Sequence, residues 1–498
     1  MTDLLLGIDL GTTALKAAVF EQRSGKLLAG ASKRLRVNAG PDGRREQDVP
    51  GVLRALRSAL AELERETGDL RRLRGIGLAA QGGSTMIAKR ATGKALTPMA
   101  LWNDARAFPE FHALAASHPP RYWRAFSLRD EPGMGLARIV RMRREAPALL
   151  QAENIYAGAG EYVFFHLTGE WRQDAGNALQ IGCYDARRGA LLERAAQMVD
   201  APLSFFAPLR RGHETHPLSS TAAKMFGLSP GIPVAGPYMD HEAGFLSVAQ
   251  GNARPLQCSL GTAWVGNFVV PGASPARSPF QLVLPSPAGA GRLVVQPLLT
   301  GNVTWDWALS TFVGGNQASA LAKSAAVFAR SLLPARGLVA LPWLNRPNPL
   351  DVGALGGGCF MGAGPSTTRG DMLRAVAAGM CYELARVFAE VKARKTIDSV
   401  VLSGGASKGP HFRTVIALLF APLPVVPVED EDWMGARGCL HAFNTKASQA
   451  QAKRPIAPGK TAVGPLLAGQ ALYEKAFAAL YAHVAAGRAI SFERGKKP

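Results

Sequence analysis

The sequence predicts an α/β protein built from two similar domains, and three observations lead to that prediction. An apolar run over residues 4–9 is followed by a Gly-Thr turn and by a second apolar run over 14–20. The same pattern of strand, turn and strand recurs from Pro255 to Val270. Stretches with apolar residues at helical spacing lie between such strands, as an alternating α/β chain requires.

The two halves of the chain begin alike. Leu-Gly-Thr triplets start at Leu10 and Leu260, 250 residues apart in a chain of 498 residues. A repeat of that length indicates a duplicated domain rather than a solenoid. We therefore predict an N-terminal domain over 1–249 and a C-terminal domain over 250–498. Further elements are predicted from periodicity, namely helices at Asp48–Glu66, Arg369–Lys392 and Ala468–Ala486 and a strand at Ile397–Leu402.

The composition excludes several classes of protein. A content of 47% hydrophobic and 19% charged residues does not fit a disordered or fibrous chain. No window approaches the roughly 20 apolar residues that span a bilayer, so we expect a cytoplasmic protein without a membrane partner. The five cysteines are far apart, which predicts reduced core thiols rather than a zinc or redox site. The net charge of +20 would attract anions, but the basic residues are scattered with little aromatic interleaving, so no nucleic-acid partner is predicted.

The turn Gly11-Thr12-Thr13 is the first candidate for chemistry. Backbone N–H groups and two hydroxyls at such a turn can converge on an anion, and the preceding Asp9 can reach a hydrated metal ion. A nucleoside triphosphate with its magnesium has these requirements. A plain structural turn is the alternative interpretation. Lys16, on the outgoing strand, either adds positive charge near the phosphates or is a solvated strand lysine.

Two segments of the C-terminal half complete this predicted nucleotide site. The turn Gly261-Thr262 repeats the first one, and two such turns across a cleft would hold a phosphate chain from both sides. Gly404-Gly405-Ala406 follows an apolar strand, where glycines let the backbone approach a flat adenine ring and its ribose. The sequence contains no GxxxxGK loop.

Asp240 follows the apolar segment Val234 to Met239 and precedes a helical stretch. One interpretation makes Asp240 the N-cap of that helix. The other makes it a general base at the bottom of a cleft. His241 and Glu242 either orient Asp240, contact a substrate or serve the fold.

Two further segments have the composition of a site for a polyhydroxylated ligand. They are Gln81-Gly82-Gly83-Ser84 and Trp102-Asn103-Asp104-Ala105-Arg106, and each follows an apolar stretch. An aromatic ring can cover the C–H face of such a ligand while amides and charged groups bond its hydroxyls. A salt bridge between Asp104 and Arg106 that shapes the turn is the competing interpretation.

In this order, the segments resemble the FGGY family of carbohydrate kinases over nearly the whole chain. Gly7 to Lys16 resembles the family's first phosphate motif, and Ala100 to Arg106 resembles its sugar-side motif. Tyr162 to Asp174 is similar to a stretch of the family's sugar-binding domain. Glu431 to Ala442 is similar to a family segment that packs behind the adenine site.

The resemblance implies the actin-like ATPase fold, in which two ribonuclease-H-like domains flank a central cleft that binds ATP. It also implies ATP-dependent phosphorylation of a hydroxyl of a small ketose or polyol, with Asp240 as the catalytic base. Asp9 and Asp240 would hold Mg²⁺, and whether the protein forms a homodimer stays open. The implied ATP-binding residues are Gly11, Thr12, Thr13, Lys16, Gly261, Thr262, Gly301, Gly404, Gly405 and Ala406. The implied substrate-binding residues are Gln81, Gly82, Trp102, Asn103, Asp104, Asp240 and His241.

Three positions depart from the family's pattern. Ala263 stands where the second phosphate motif usually continues with Ser or Thr, and His241 stands where Gln is common. Gly82-Gly83 stands where glycerol kinases carry Arg-Glu and xylulokinases carry Met-His. We therefore expect spare volume beside these glycines and a neutral ketose or sugar alcohol of roughly four to seven carbons. An actin-like or chaperone-like ATPase and a sugar-binding pseudokinase are the alternative functions.

Overall fold

Each half of the chain is built around a six-stranded sheet. The computed structural model describes residues 3–251, 253–272, 281–298, 300–343, 358–457 and 463–485. The strands of the N-terminal half are β1 (Leu4–Leu10), β2 (Ala14–Glu21), β3 (Leu27–Arg34), β4 (Val37–Ala39), β5 (Arg45–Gln47), β6 (Leu73–Ala80), β7 (Thr85–Lys89), β8 (Met99–Ala100), β9 (Asn154–Gly158), β10 (Tyr184–Asp185), β11 (Ala190–Leu191), β12 (His216–Pro217) and β13 (Pro233–Met239). Its helices are α1 (Val49–Thr67), α2 (Phe108–Ser117), α3 (Pro120–Ser127), α4 (Met134–Glu145), α5 (Ala159–Thr168), α6 (Ala175–Ile181), α7 (Glu193–Met198), α8 (Ser220–Phe226) and α9 (Asp240–Leu246).

The C-terminal half follows the same alternation. Its strands are β14 (Pro255–Leu260), β15 (Trp264–Val270), β16 (Leu282–Pro285), β17 (Arg292–Pro297), β18 (Val339–Leu341), β19 (Cys359–Met361), β20 (Ser399–Ser403) and β21 (Val425–Pro427). Its helices are α10 (Asn302–Phe312), α11 (Gln317–Arg330), α12 (Arg369–Val387), α13 (Ala389–Ala393), α14 (Pro410–Phe420), α15 (Met434–Gly438) and α16 (Val463–Ala485).

Five strands of each sheet follow the same order, which confirms the predicted duplication, while the sixth strands lie at opposite edges, β12 beside β13 and β16 beside β17. The N-terminal sheet has the order β12-β13-β6-β1-β2-β3, and the C-terminal sheet has the order β21-β20-β14-β15-β17-β16. β1 pairs antiparallel with β2 and parallel with β6. In the same way, β14 pairs antiparallel with β15 and parallel with β20. This is the order of a ribonuclease-H-like domain, so the predicted fold class is confirmed. Among the described helices, none is both long enough and apolar enough to cross a bilayer.

Local sequence explains the main elements. β1 is apolar along almost its whole length because it lies in the middle of its sheet, where both faces are buried. α1 buries Val52, Leu56 and Leu63 on one face and has a proline in its first turn. Its C-cap is Gly68, which has a left-handed φ of 81°. The predicted helix over 369–392 is divided in two at Phe388.

A segment of the C-terminal half lies against the N-terminal sheet. α15 contacts both α9 and β1. A β-carbon at Gly7 of β1 would overlap the carbonyl oxygen of Ala436, and one at Gly77 of β6 would overlap that of Cys439. The two halves are therefore in contact through backbone groups that only glycine admits.

Candidate active site

Asp9 lies at the end of β1, beside the first turn. The turn closes through a hydrogen bond of 3.0 Å from the Gly11 N–H to the Ala14 carbonyl oxygen. Burial and the nearby Asp240 carboxylate raise the pKa of Asp9 to about 7, whereas Lys16, its cross-strand partner, acts in the opposite direction. The two carboxylates predicted to share a metal ion are therefore close enough to interact.

Asp240 is the first residue of α9, and the N-cap of this helix is Met239. The N-cap interpretation of Asp240 is therefore wrong. The Met239 N–H donates instead to Asp174 Oδ2 at 2.7 Å and to Glu242 Oε2 at 3.1 Å. Asp240 is half-buried, and its Oδ1 accepts the N–H of His241 at 2.9 Å. Asp240 therefore lies where β13 ends and α9 begins, with part of the residue exposed to solvent.

Thr12 connects the first turn to the predicted sugar-side segments. Its hydroxyl donates to Gln81 Oε1 at 2.9 Å and accepts the indole N–H of Trp102 at 3.1 Å. Ser84 Oγ donates to the same oxygen of Gln81 at 3.1 Å and accepts the backbone N–H of Trp102 at 3.0 Å. Gln47 Nε2 donates to the Thr12 carbonyl oxygen. The phosphate turn and the sugar-side residues thus form one hydrogen-bond network.

The turn from Trp102 to Arg106 is held by a salt bridge, as the competing interpretation expected. Arg106 Nη2 lies 2.7 Å from Asp104 Oδ2 and 2.5 Å from Glu46 Oε1. Burial acts to raise the pKa of Asp104, but hydrogen bonds from Arg106 and from backbone N–H groups outweigh it, and the pKa lies below its ordinary value. Trp102 is 40% exposed and offers an aromatic face to a ligand. Contacts of Asp104 and Asn103 with a substrate stay predictions.

The glycines of the predicted nucleotide site pack on the second turn. A β-carbon at Gly404, where φ is 84°, would lie 2.8 Å from the carbonyl carbon of Leu260. A β-carbon at Gly301 would lie 2.7 Å from Ala263 Cα, and the next residue donates its N–H to the Gly261 carbonyl oxygen at 3.0 Å. Three segments that are distant in sequence therefore meet at one place. The exposed residues around these turns are Thr13, Thr262 and Gly405, whereas Ala406 is buried.

Lys16 reaches the C-terminal half and is not a solvated strand lysine. Its Nζ donates to the carbonyl oxygen of Asp432 at 2.8 Å, and Lys408 Nζ lies 2.5 Å from Asp432 Oδ2. Through this ion pair, the start of segment 431–442 adjoins the predicted adenosine segment. The remainder packs against the N-terminal sheet, and the place of this segment behind the adenine site stays a prediction.

The space beside Gly82 and Gly83 is filled, so the expectation of spare volume is wrong. A β-carbon at Gly82 would overlap Nε2 of Gln180, and one at Gly83 would lie 2.5 Å from its Oε1. Gln180 belongs to α6, which no sequence motif singled out.

Arg138 is a second residue that sequence reasoning missed. It is 4% exposed, and its guanidinium donates to the carbonyl oxygens of Gly83 at 2.6 Å and of Leu101 at 2.5 Å. Because it bonds both sugar-side loops, it holds them at a fixed separation. An arginine on an amphipathic helix gives no signal of this role, since the partners are backbone carbonyls.

Three carboxyl groups are buried behind Gln81. Glu161, Asp174 and Glu242 are 1%, 5% and 4% exposed. Burial, with a contribution from Asp174, raises the pKa of Glu161 to about 8 and holds the pKa of Glu242 well above its ordinary value. Burial therefore favours the neutral form of both Glu161 and Glu242.

The residues at the two turns fit Mg²⁺ and a nucleotide. Magnesium is commonly bound by one or two carboxylates together with water and phosphate oxygens. Asp9 and Asp240 provide two carboxylates, and a cation beside them would remove the repulsion that contributes to the raised pKa of Asp9. Over the described ranges, no group of three or more His, Cys, Asp or Glu side chains is arranged to hold a metal. A magnesium ion here would therefore need phosphate oxygens as further ligands.

Comparison with known proteins agrees with this geometry. The aligned part of apulose kinase from Pectobacterium atrosepticum is 34% identical over 147 residues, 29% of this chain and 29% of that protein. Xylulose kinase from Staphylococcus epidermidis is 22% identical over 445 residues, 84% of this chain and 83% of that protein. The crystal structure of xylulose kinase from Rhodospirillum rubrum matches with a TM-score of 0.83 and 21% identity, covering 97% of this chain and 99% of that one.

The family models decide the assignment. Residues 4–247 match the N-terminal domain of the FGGY family of carbohydrate kinases, and residues 258–442 match its C-terminal domain. The first-named relative, apulose kinase, is matched over less than a third of its own length. The two matched domains nevertheless account for most of the sequence, and the chain belongs to the FGGY family of carbohydrate kinases.

Proposed function

We propose that this protein transfers the γ-phosphoryl group of ATP to a hydroxyl of a neutral ketose or polyol, with Asp240 as the general base. One observation supports this most directly. The Asp240 carboxylate interacts electrostatically with Asp9, which lies just before the first turn, and the hydroxyl of Thr12 in that turn bonds Gln81 and Trp102. A phosphate donor and a hydroxylated acceptor would therefore meet beside one accessible carboxylate.

Phosphoryl transfer depends mainly on positioning and on charge stabilisation. In this proposal, Asp240 accepts the proton of the attacking hydroxyl. N–H and hydroxyl groups at the turns Gly11-Thr12-Thr13 and Gly261-Thr262 bond the phosphate oxygens. Asp9 and Asp240 would hold Mg²⁺, which would supply positive charge to offset that of the transferred group. Gly404 and Gly405 place backbone against the adenosine.

The charges at the sugar side favour a neutral acceptor. The guanidinium of Arg106 is bonded to Asp104 and Glu46, and that of Arg138 is bonded to backbone carbonyls. Asp240 would repel an acidic substrate across a site of low dielectric constant. The relatives named for xylulose and apulose, which are both ketoses, agree with this choice.

The test is steady-state ADP release across a panel of neutral ketoses, the matching alditols, glycerol and the matching sugar acids. We expect the highest kcat/KM on a ketose or alditol. Rapid ADP release that no sugar stimulates would favour an actin-like or chaperone-like ATPase. Sugar binding without turnover would favour a pseudokinase, for which the missing hydroxyl at Ala263 is the supporting feature.

A further inference from the structure

Gln180 occupies the space beside Gly82 and Gly83. Both of its amide atoms lie against these glycines, since a β-carbon at Gly82 would overlap Nε2 and one at Gly83 would approach Oε1. The glycines therefore do not open a larger pocket. They admit an amide from another helix.

The amide also reaches the residue that precedes α9, the helix that begins with Asp240. Its Nε2 lies 2.9 Å from Sδ of Met239, the N-cap residue directly before Asp240. A thioether is a weak acceptor, so the amide keeps hydrogen-bonding capacity for a stronger partner. Gln180 is half-buried rather than enclosed, which leaves room for that partner at the site.

The position of Gln180 is fixed by the helix that carries it. Asp174 caps α6 by accepting the N–H of Asn177 at 2.8 Å. Asn177 Oδ1 in turn accepts the N–H of Gly83 at 3.0 Å. Asn177 and Gln180 are three residues apart and share a helix face. One face of α6 is thus bonded to the glycine turn and presents the amide beside it.

We propose that Gln180 is a specificity-determining residue that hydrogen-bonds a hydroxyl or carbonyl group of the neutral acceptor, a proposal that rests on the function proposed above. An amide can donate to and accept from such groups at once. The amide is presented beside the glycine turn from a position fixed by α6.

The test compares Gln180→Leu with the wild type, using the neutral ketose or alditol from the panel that gives the highest kcat/KM. We expect the KM of the sugar, and its Kd measured by calorimetry without nucleotide, to rise about 3- to 10-fold, the loss of one hydrogen bond. The KM of ATP should change less than twofold. Gln197→Leu, at an exposed glutamine on α7, is the matched control and should change neither constant.

A second variant tests the same contact from the other side. Gly82→Ala places a β-carbon where the amide lies and should raise the KM of the sugar by a similar factor. In the Gln180→Leu background it should add less than twofold, because the amide contact is already lost. Should Gln180→Leu fail to fold, Gly82→Ala alone decides.

Each outcome separates the two proposals. Two results would overturn the role of Gln180 and leave the kinase proposal standing. One is turnover with an unchanged sugar Kd in Gln180→Leu, and the other is a double variant in which the effects of Gln180→Leu and Gly82→Ala on the KM of the sugar are fully additive. If the wild type shows no turnover and no calorimetric binding with any sugar of the panel, both proposals are overturned.

Discussion

At the scale of single residues, Asp9 and Asp240 show how surroundings separate two neighbouring carboxylates. Asp9 ends a central strand, and burial together with Asp240 raises its pKa to about 7. Asp240 begins a helix, takes no part in its N-cap and is half-buried. Asp9 is half-buried as well, so both carboxylates are open to a ligand, and the assignment of the base to Asp240 stays a proposal.

The role of Asp240 is tested by Asp240→Asn. We expect kcat to fall by at least about 10²-fold, because a general base contributes that much, while ATP affinity measured by calorimetry stays within a few-fold. Circular dichroism would verify the fold. Near-normal turnover in this variant would remove Asp240 from the mechanism.

Glu161 gives a prediction about pH. Its pKa is about 8 in the folded protein and near 4.5 when unfolded, so the folded state binds more protons between these values. Its contribution to stability is complete below about pH 4.5 and is lost as the pH rises towards 8. Glu161→Gln removes this titration. Relative to the wild type, the free energy of unfolding of the variant should therefore rise by up to a few kcal/mol between pH 5 and pH 8. Urea unfolding at pH 5, 6.5 and 8 measures the difference, and parallel pH profiles would contradict the assignment.

At the scale of elements, the two turns share the Gly-Thr sequence but differ in their partners. The hydroxyl of Thr12 is bonded to Gln81 and Trp102, whereas Thr262 is exposed at its turn. From the sequence alone, both threonines are expected to act on the nucleotide. The structure indicates that only the first also supports the sugar side.

The paired variants Thr12→Val and Thr262→Val test this asymmetry. We expect Thr12→Val to weaken sugar binding in the absence of nucleotide by roughly 3- to 10-fold, since it breaks the bonds to Gln81 and Trp102. Thr262→Val should leave that binding unchanged and raise the KM of ATP or lower kcat. Calorimetric titration of both variants with the preferred sugar is the measurement. Equal sugar affinities would show that the network around Thr12 does not reach the ligand.

The sequence predicts elements well where the signal is local. β1, α1 and the two Gly-Thr turns occur as their apolar spacing and turn residues indicate. The contacts that shape the pocket depend on residues far apart in the chain. Arg138 bonds Gly83 across 55 positions, and no local pattern marks either that bond or the arrival of Gln180 at the glycines.

At the scale of the whole molecule, a segment of the C-terminal half packs against the N-terminal sheet. Trp433 packs at Gly30, and the backbone of Ala436 packs at Gly7. Buried clusters also combine Leu5 and Phe20 with Leu440. Each six-stranded sheet takes its strands from one half of the chain, the packing crosses between the halves, and the domain boundary between 249 and 250 stays a prediction.

Gly7→Ala tests this packing. The new β-carbon would overlap the backbone carbonyl oxygen of Ala436, which cannot rotate away as a side chain can. We therefore expect a loss of stability of about 1–3 kcal/mol or more. Gly364→Ala is the control, because a β-carbon there has nothing within 4 Å. Thermal unfolding compares the two variants. An equal midpoint for both would show that the interface yields easily.

The same packing has a consequence for synthesis of the chain on the ribosome. Domains usually fold as they emerge, N-terminal first. Here the surface formed by Gly7, Gly30 and Gly77 is covered by residues 433–439, which emerge more than 400 residues after Gly7. The nascent N-terminal sheet therefore keeps that surface uncovered until residues 433–439 have been synthesised. A chain that is stopped before residue 433 would leave that surface exposed to solvent.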